Sequence, residues 1–288
     1  MENAAASVRL ETIHRFEGGM LELREDRVTV EEPLEIRMGA ETLAVTMRTP
    51  GDDFDLASGW LLAEGIVHRP DEIVRLEHCR EVRSPEEEGN VVVVRATVPS
   101  RTLLDRARRL LVTTSSCGLC GKASIEAVHG HFPAVESTAR VSSAVLSRLP
   151  DALRRAQTAF GQTGGLHGAG IFDLDGNLLC AREDVGRHNA VDKSIGALFR
   201  QGRLPLSDAI LLVSGRASFE IVQKAVAAGI PIVAAVSAPS SLAIDLARPS
   251  AVALVGFLRE GGFNLYSGVD RVDAPAPARS VPAGPSPA

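Results

Sequence analysis

Residues 209–257 read AILLVSGRASFEIVQKAVAAGIPIVAAVSAPSSLAIDLARPSAVALVGF. Three short apolar runs, Ala209–Val213, Ile232–Val236 and Val252–Phe257, have the length and β-branched content of strands. Between them, Ser218–Ala228 and Ser241–Ala247 carry helical spacing. All-apolar strands alternating with helices predict a parallel sheet covered on both faces. Upstream, His167–Asp173 and Leu178–Arg182 flank Leu174-Asp175-Gly176-Asn177, a hairpin signal. A helix follows over Asn189–Phe199. Another, marked by Leu149, Leu153, Ala156 and Phe160, stops at Gly161.

Nearer the N-terminus the periodicity changes to two. Val28 and Val30, then Leu34, Ile36 and Met38, then Leu43, Val45 and Met47 alternate as strands do. Asp52 and Asp53 precede an apolar stretch from Phe54 to Ala63 with Gly65 after it, which predicts a capped helix. Ile73–Val82 and Asn90–Thr97 read as two strands joined by a charged turn, and Arg101–Val112 as a helix. The organisation expected is a flexible segment 1–18, a β-rich domain 19–112, a loop and connector 113–147, an α/β domain 148–272 and a disordered Pro/Ala tail 273–288. The fold class is therefore α/β, or α+β overall.

Composition excludes several classes. With 31 Lys+Arg against 36 Asp+Glu, the net charge of −5 argues against a general nucleic-acid binder. One Trp, one Tyr and nine Phe supply no stacking platform for single strands. No segment reaches the ~18 apolar residues of a membrane span, and Met1–Glu11 lacks the pattern of a signal peptide. The four cysteines, Cys79, Cys117, Cys120 and Cys180, read as reduced thiols of a cytoplasmic protein. Cys79 and Cys180 fall in expected strands, as buried inert thiols.

Cys117 and Cys120 stand three apart in a small, Gly-containing loop beside Lys122. A neighbouring cation and a following helix N-terminus both favour the reactive thiolate. Four uses are open to such a pair: disulfide exchange, structural zinc, a persulfide carrier, or no special role. Zinc would need two more ligands, and His129 and His131 do not have the usual partner spacing. A second feature runs Arg182-Glu183-Asp184-Val185-Gly186-Arg187-His188-Asn189-Ala190-Val191-Asp192-Lys193, from a strand end into a helix start. Free N–H groups there, with Arg187, His188 and Lys193, suit a phosphate; a solvated charged loop is the plainer alternative. Three polar turns, at Ser214–Ser218 with Arg216, at Ser237–Ser241 and at Phe257–Gly262, belong to one sheet edge, where open α/β sheets bind ligands. Thr163-Gly164-Gly165-Leu166-His167 adds backbone donors. No GxGxxG or Walker pattern is present.

These stretches occur in order with Ser115-Ser116-Cys117-Gly118-Leu119-Cys120-Gly121, Ser218-Phe219-Glu220, Pro231-Ile232 and Ser237-Ala238-Pro239-Ser240-Ser241-Leu242-Ala243. Together they resemble the formate dehydrogenase accessory sulfurtransferase family (FdhD) over about residues 20–270. The resemblance implies a β-containing N-terminal domain, a C-terminal cytidine-deaminase-like three-layer α/β domain, and a homodimer. It implies a sulfurtransferase that accepts sulfur from a cysteine desulfurase as a persulfide. The sulfur then passes to the molybdenum (or tungsten) bis-guanine-dinucleotide cofactor, Mo-bis(molybdopterin guanine dinucleotide), before insertion into the formate dehydrogenase catalytic subunit.

By that resemblance the persulfide falls on Cys117. Cys120 resolves it as a disulfide or tunes it. The cofactor stretch falls on Phe257, Leu258, Arg259, Glu260, Gly261 and Gly262, and a guanine nucleotide such as GDP fits the same site. Glu260-Gly261-Gly262 stands where related sequences often place a second basic residue. Arg187, His188, Lys193, Arg216 and Arg259 complete the expected cofactor-binding set, and no metal ligand of the protein's own is expected. The deaminase zinc signature is absent, so deamination does not follow. A cofactor-binding chaperone without covalent sulfur transfer, a dithiol oxidoreductase and a zinc scaffold are the rival readings.

Overall fold

The computed structural model describes residues 7–39, 41–81, 84–97 and 132–274. The expected helix at 101–112, the loop of Cys117 and Cys120, and the tail beyond 274 lie outside the described residues.

The expected α/β segment forms a six-stranded sheet. Its strands are β8 (His167–Asp173), β9 (Leu178–Asp184), β10 (Ala209–Val213), β11 (Ile232–Ala235), β12 (Ala253–Arg259) and β13 (Gly262–Ser267), in the order β13-β12-β11-β10-β8-β9. The parallel expectation holds only at the centre. β10–β11 and β11–β12 run parallel, whereas β8–β9, β10–β8 and β12–β13 are antiparallel. The reason lies in the connections. Asp175-Gly176 and Gly261, with φ of 87° and 80° at the two glycines, close tight hairpins at both sides, and such turns reverse the chain.

One face of this sheet carries α4 (Arg187–Arg200), α5 (Phe219–Ala227) and α6 (Ser241–Ala247). The other carries α2 (Ser143–Ala156), with α3 (Thr158–Thr163) following it. Ser142 caps α2 by accepting the Val145 N–H at 3.2 Å. The helix thus starts within the segment expected as connector, 113–147. Moreover, β7 (Val141–Ser142) pairs in parallel with β14 (Val272–Asp273), so the C-terminal layer begins at 141 and ends past 272.

In the N-terminal part, β3 (Glu32–Met38), β4 (Glu41–Arg48), β5 (Ile73–His78) and β6 (Val91–Ala96) form a sheet of order β4-β3-β6-β5. The expected helix is present as α1 (Asp53–Ala63). Residues 8–17, expected to fray, instead form β1 (Val8–Glu17), paired with β2 (Met20–Thr29) through a Gly18-Gly19 turn whose φ values are both positive. The ribbon hides from simple pattern reading because it buries almost nothing: Phe16, Met20, Leu21 and Leu23 are all exposed.

The two sequence domains share one core. Leu34, Ile36, Leu43, Leu56 and Leu61 belong to the same buried cluster as Val191, Ile195 and Leu198. Helices α1 and α4 cross on glycines: a Cβ at Gly59 would meet the Asp192 carbonyl oxygen at 2.0 Å, and one at Gly196 the Asp55 carbonyl oxygen at 1.9 Å. No other residue lets two backbones approach so closely.

Candidate functional site

The carboxyl ends of β10, β11 and β12 bring the three expected turns to one edge. There Val236 N–H bonds to Val213 O at 3.1 Å and Phe257 N–H to Ser237 O at 3.1 Å. β8 runs antiparallel, so its first residue, His167, arrives at the same edge.

The charged run at 182–193 divides into two groups. Most of it is architecture. Arg182 reaches Asp52 at 3.2 Å and Asp55 at 2.9 Å, joining the sheet to the start of α1. The Glu183 carboxylate accepts the N–H groups of Ala159 and Phe160 at 2.9 and 2.7 Å, which caps α3. Asp184, fully buried, accepts from Thr49 N–H, Gly186 N–H and Asn189 Nδ2, and pairs with Lys193 Nζ at 2.7 Å. Asn189 in turn donates to Met47 O at 2.7 Å.

Lys193, expected among the cofactor-binding residues, is buried and paired. Its ammonium is 1% exposed and held by Asp184 and the Thr49 carbonyl at 2.8 Å. It ties the N-terminal segment to α4. A positive charge in a run with Arg187 and His188 reads as phosphate-binding only until its buried partner is seen.

Arg187 and His188 remain at the edge. Among the described residues, the buried Nε of Arg187 has no hydrogen-bond partner. His188 Nε2 lies 3.0 Å from Ser218 Oγ and 2.9 Å from Glu220 Oε2, which fixes the ring at the start of α5. Burial first, then the charges of Arg187 and His188, hold His167 below the ordinary imidazole range, so it is neutral at pH 7. Gly215 lies against that ring: a Cβ there would meet His167 Nδ1 at 3.4 Å. Arg216 is exposed on the same turn.

The stretch 257–262 is the bend between β12 and β13. Phe257 has φ of 54°, a left-handed conformation uncommon for a bulky residue, and the residue is 40% exposed. Phe257, Arg259, Gly262, Phe263 and Asn264 line a cleft of about 430 Å³. Arg259 and Glu260 are exposed and Gly261 forms the turn. Leu258 differs from its neighbours. Its side chain is fully buried in the core under α2, where it positions the strand.

A second cleft of about 610 Å³ opens between the edge and the α2–α3 junction. Leu166, His167, Ser214 and Val236 form one wall, and Leu153, Arg154, Gln157 and Phe160 the other. The Gly164-Gly165-Leu166-His167 stretch of the sequence reading lies here. Arg154, Gln157 and Phe160 were not among the expected site residues, because nothing in their local pattern points across to β8 and β10.

Cys117 and Cys120 lie outside the described residues. Of the other two thiols, Cys180 is buried and burial raises its pKa, while Cys79 is half-buried rather than buried, its Sγ 3.4 Å from Glu81 O. Among the described residues, no group of three or more His, Cys, Asp or Glu is placed to hold a metal. No helix among them is long and apolar enough to cross a membrane.

The model of the FdhD/NarQ family matches residues 29–273. The sulfur carrier protein FdhD of Streptomyces avermitilis is 51% identical over 263 residues, covering 90% of this chain and 93% of the relative. That of Mycobacterium tuberculosis is 49% identical over 256 residues, covering 86% and 92%. A crystal structure from Desulfotalea psychrophila, described as a candidate formate dehydrogenase accessory protein, superposes with a TM-score of 0.74 at 22% identity. It covers 92% of this chain and 99% of its own, and at that identity it supports the fold. On the family match across both layers of the fold, and on half-identity to curated relatives over most of their length, the chain belongs to the FdhD/NarQ family.

Proposed function

We propose that this protein is a sulfur carrier that takes sulfane sulfur from a cysteine desulfurase onto Cys117. It passes the sulfur to a molybdenum (or tungsten) bis-guanine-dinucleotide cofactor bound as cargo, ahead of insertion into formate dehydrogenase. The observation that carries the reading is family membership over residues 29–273, the stretch that holds both the cysteine loop and the cationic sheet edge. The strand order, with a hairpin before the parallel centre, supports a cytidine-deaminase-like C-terminal domain. The exposed apolar side chains of the β1–β2 ribbon are in keeping with a homodimer, and the compartment proposed is the cytoplasm.

The first step conserves electrons. The Cys117 thiolate attacks the outer sulfur of the desulfurase persulfide; an S–S bond breaks, the desulfurase thiolate leaves, and a Cys117 persulfide forms. In the second, the Cys120 thiolate attacks the inner sulfur and expels the outer one as hydrosulfide, which ligates the metal of the cargo. The two cysteines are left as a disulfide, and a cellular dithiol reduces it for the next cycle. Arg187, Arg216 and Arg259 face the cargo's phosphates as fixed charges, and the aromatic side of Phe257 and Phe263 covers a flat ring beside them. His167, neutral, adds a hydrogen-bonding group without adding charge.

The test is intact-protein mass after incubation with a cysteine desulfurase, pyridoxal phosphate and cysteine. A gain of about 32 Da, one sulfur, is expected in the wild type and in Cys120→Ala, and absent in Cys117→Ala. No gain in any variant, with the desulfurase active on another acceptor, overturns the covalent step and leaves a cofactor-binding chaperone.

A further inference from the structure

The first two strands form an arm whose two faces differ in kind. β1 and β2 pair over their full length, so the turn at Gly18-Gly19 stands about 30 Å from the root. Directly paired residues share a face. Phe16–Leu21, His14–Leu23 and Leu10–Arg27 lie on one, where Leu10, Phe16, Leu21 and Leu23 are 60, 70, 68 and 67% exposed. The other face carries ion pairs within each strand, Arg9–Glu11, Arg15–Glu17 and Arg24–Glu22, at 2.6, 3.4 and 2.7 Å. An arm meant only for water has no reason to sort its side chains this way. A two-stranded ribbon is barely stable alone in water, and an apolar face of that exposure marks a contact surface.

The root of the arm holds a surface of the complementary kind. Thr29 Oγ1 donates to Thr163 Oγ1 of α3 at 2.9 Å, and a Cβ at Gly165 would meet Thr29 Oγ1 at 2.8 Å. Gly165 also lines the α2–α3 cleft, whose apolar walls come from Leu153, Phe160, Leu166 and Val236. Apolar tip and apolar cleft therefore sit about 30 Å apart on one chain, too far to meet. A two-fold axis that lays two arms antiparallel brings each tip to the other's root. The charges agree: Glu17 is the last residue before the turn, and the end of α2 exposes Arg154 and Arg155. The area agrees as well. The four exposed side chains present roughly 450 Å² of apolar surface. At the ~65% apolar share of homodimer interfaces this belongs to a contact of about 700 Å² per copy, near the ~800 Å² of a stable one.

We propose that two copies of this chain exchange their β1–β2 arms, each tip (Phe16, Leu21 and Leu23) seated on α3 and the mouth of the α2–α3 cleft of the second copy. The inference deepens the homodimer reading and rests on it. It adds the surface, the orientation of the arms, and a cleft beside His167 that the other chain helps to close.

Sedimentation of the full chain and chemical cross-linking test it. Wild type should run at twice the mass of one chain. The double variant Phe16→Glu/Leu21→Glu should run as a single folded chain with unchanged circular dichroism, its association weakened about a hundredfold or more. In a Cys117→Ser/Cys120→Ser background, Met20→Cys at the tip is co-expressed with Gln162→Cys, exposed on α3, and treated with a short bismaleimide. The mixture should give a covalent dimer that neither variant gives alone. A double variant that stays dimeric overturns the arm as the contact and leaves the homodimer reading intact. Cross-linking of Met20→Cys with itself, or none in the mixture, puts the tips elsewhere and overturns the exchange. A wild type that sediments as one chain removes the homodimer reading and the exchange with it.

Discussion

Replacing Gly196 by alanine tests the shared core directly. The added Cβ would sit 1.9 Å from the Asp55 carbonyl oxygen and 2.7 Å from the Gly59 nitrogen, where ordinary contact begins at 3.4 Å. Both neighbours are backbone, so no side chain can swing away. Helices α1 and α4 must part by roughly 1.5 Å, and overpacking of this kind costs ~1–3 kcal/mol, more when the backbone itself must move. The shift also strains the Arg200–Asp55 pair at 2.6 Å and the Lys193–Thr49 bond at 2.8 Å. Alanine recovers ~1 kcal/mol of helix propensity. Taking the upper end of that range, the net expectation is a loss of about 2 kcal/mol, a fall of roughly 0.7 M in the urea midpoint at a slope near 3 kcal/mol/M. Gly161, in α3, is the control: nothing lies within 4 Å of its Cβ position. Gly161→Ala should therefore gain ~0.5–1 kcal/mol. A Gly196→Ala protein that unfolds at or above the wild-type midpoint would refute the close crossing and with it the single core.

Two further outcomes follow from the buried charges. Lys193→Met leaves the Asp184 carboxylate buried without its cation and should cost ~3–5 kcal/mol, whereas Arg259→Ala, at the exposed edge, should stay within about 0.5 kcal/mol of wild type; a Lys193→Met protein of normal stability that has lost nucleotide binding would return Lys193 to the ligand set. Asp192 is fully buried beside Lys224, whose Nζ lies 2.7 Å away, and burial, only partly offset by that ammonium, raises the carboxyl pKa from 3.8 to about 6. Because the native pKa lies above the unfolded one, this group's contribution to stability is greatest below pH 3.8 and is lost as pH rises through about 6. Carbon NMR of labelled aspartate should show one carboxyl titrating near pH 6 that disappears in Asp192→Asn, and a midpoint near 4 would contradict the burial.

Of the candidate site, the sequence yielded the turns but not their division of labour. Ser214–Ser218 and Phe257–Gly262 are polar breaks after apolar strands, and a strand end in an open sheet is a local, readable fact. Family resemblance was equally legible, because Arg182–Ala190 is an ordered string of residue types. What those residues do is not local. Lys193 looks like Arg187 in one dimension; the buried Asp184 carboxylate and a carbonyl 144 residues away, at Thr49, make it structural. Gln157, between α2 and α3, carries no signal in its own stretch of chain, and only the folded chain sets it opposite β8 and β10.

The same division runs through the fold. Apolar runs and glycine punctuation determined where α1 and the strands β8 to β12 lie, since periodicity and turn chemistry act over a few residues. Tertiary structure decided the rest: the antiparallel edges of the main sheet, the pairing of β7 with β14, and the fusion of two apparent domains. Each depends on contacts between segments far apart in the chain. A charge is structural or functional, and a glycine is a turn or a helix crossing, according to what the folded chain sets beside it. At Gly59 and Gly196 that neighbour is another backbone, and the meeting of the two welds the N-terminal sheet to the layer that carries the site.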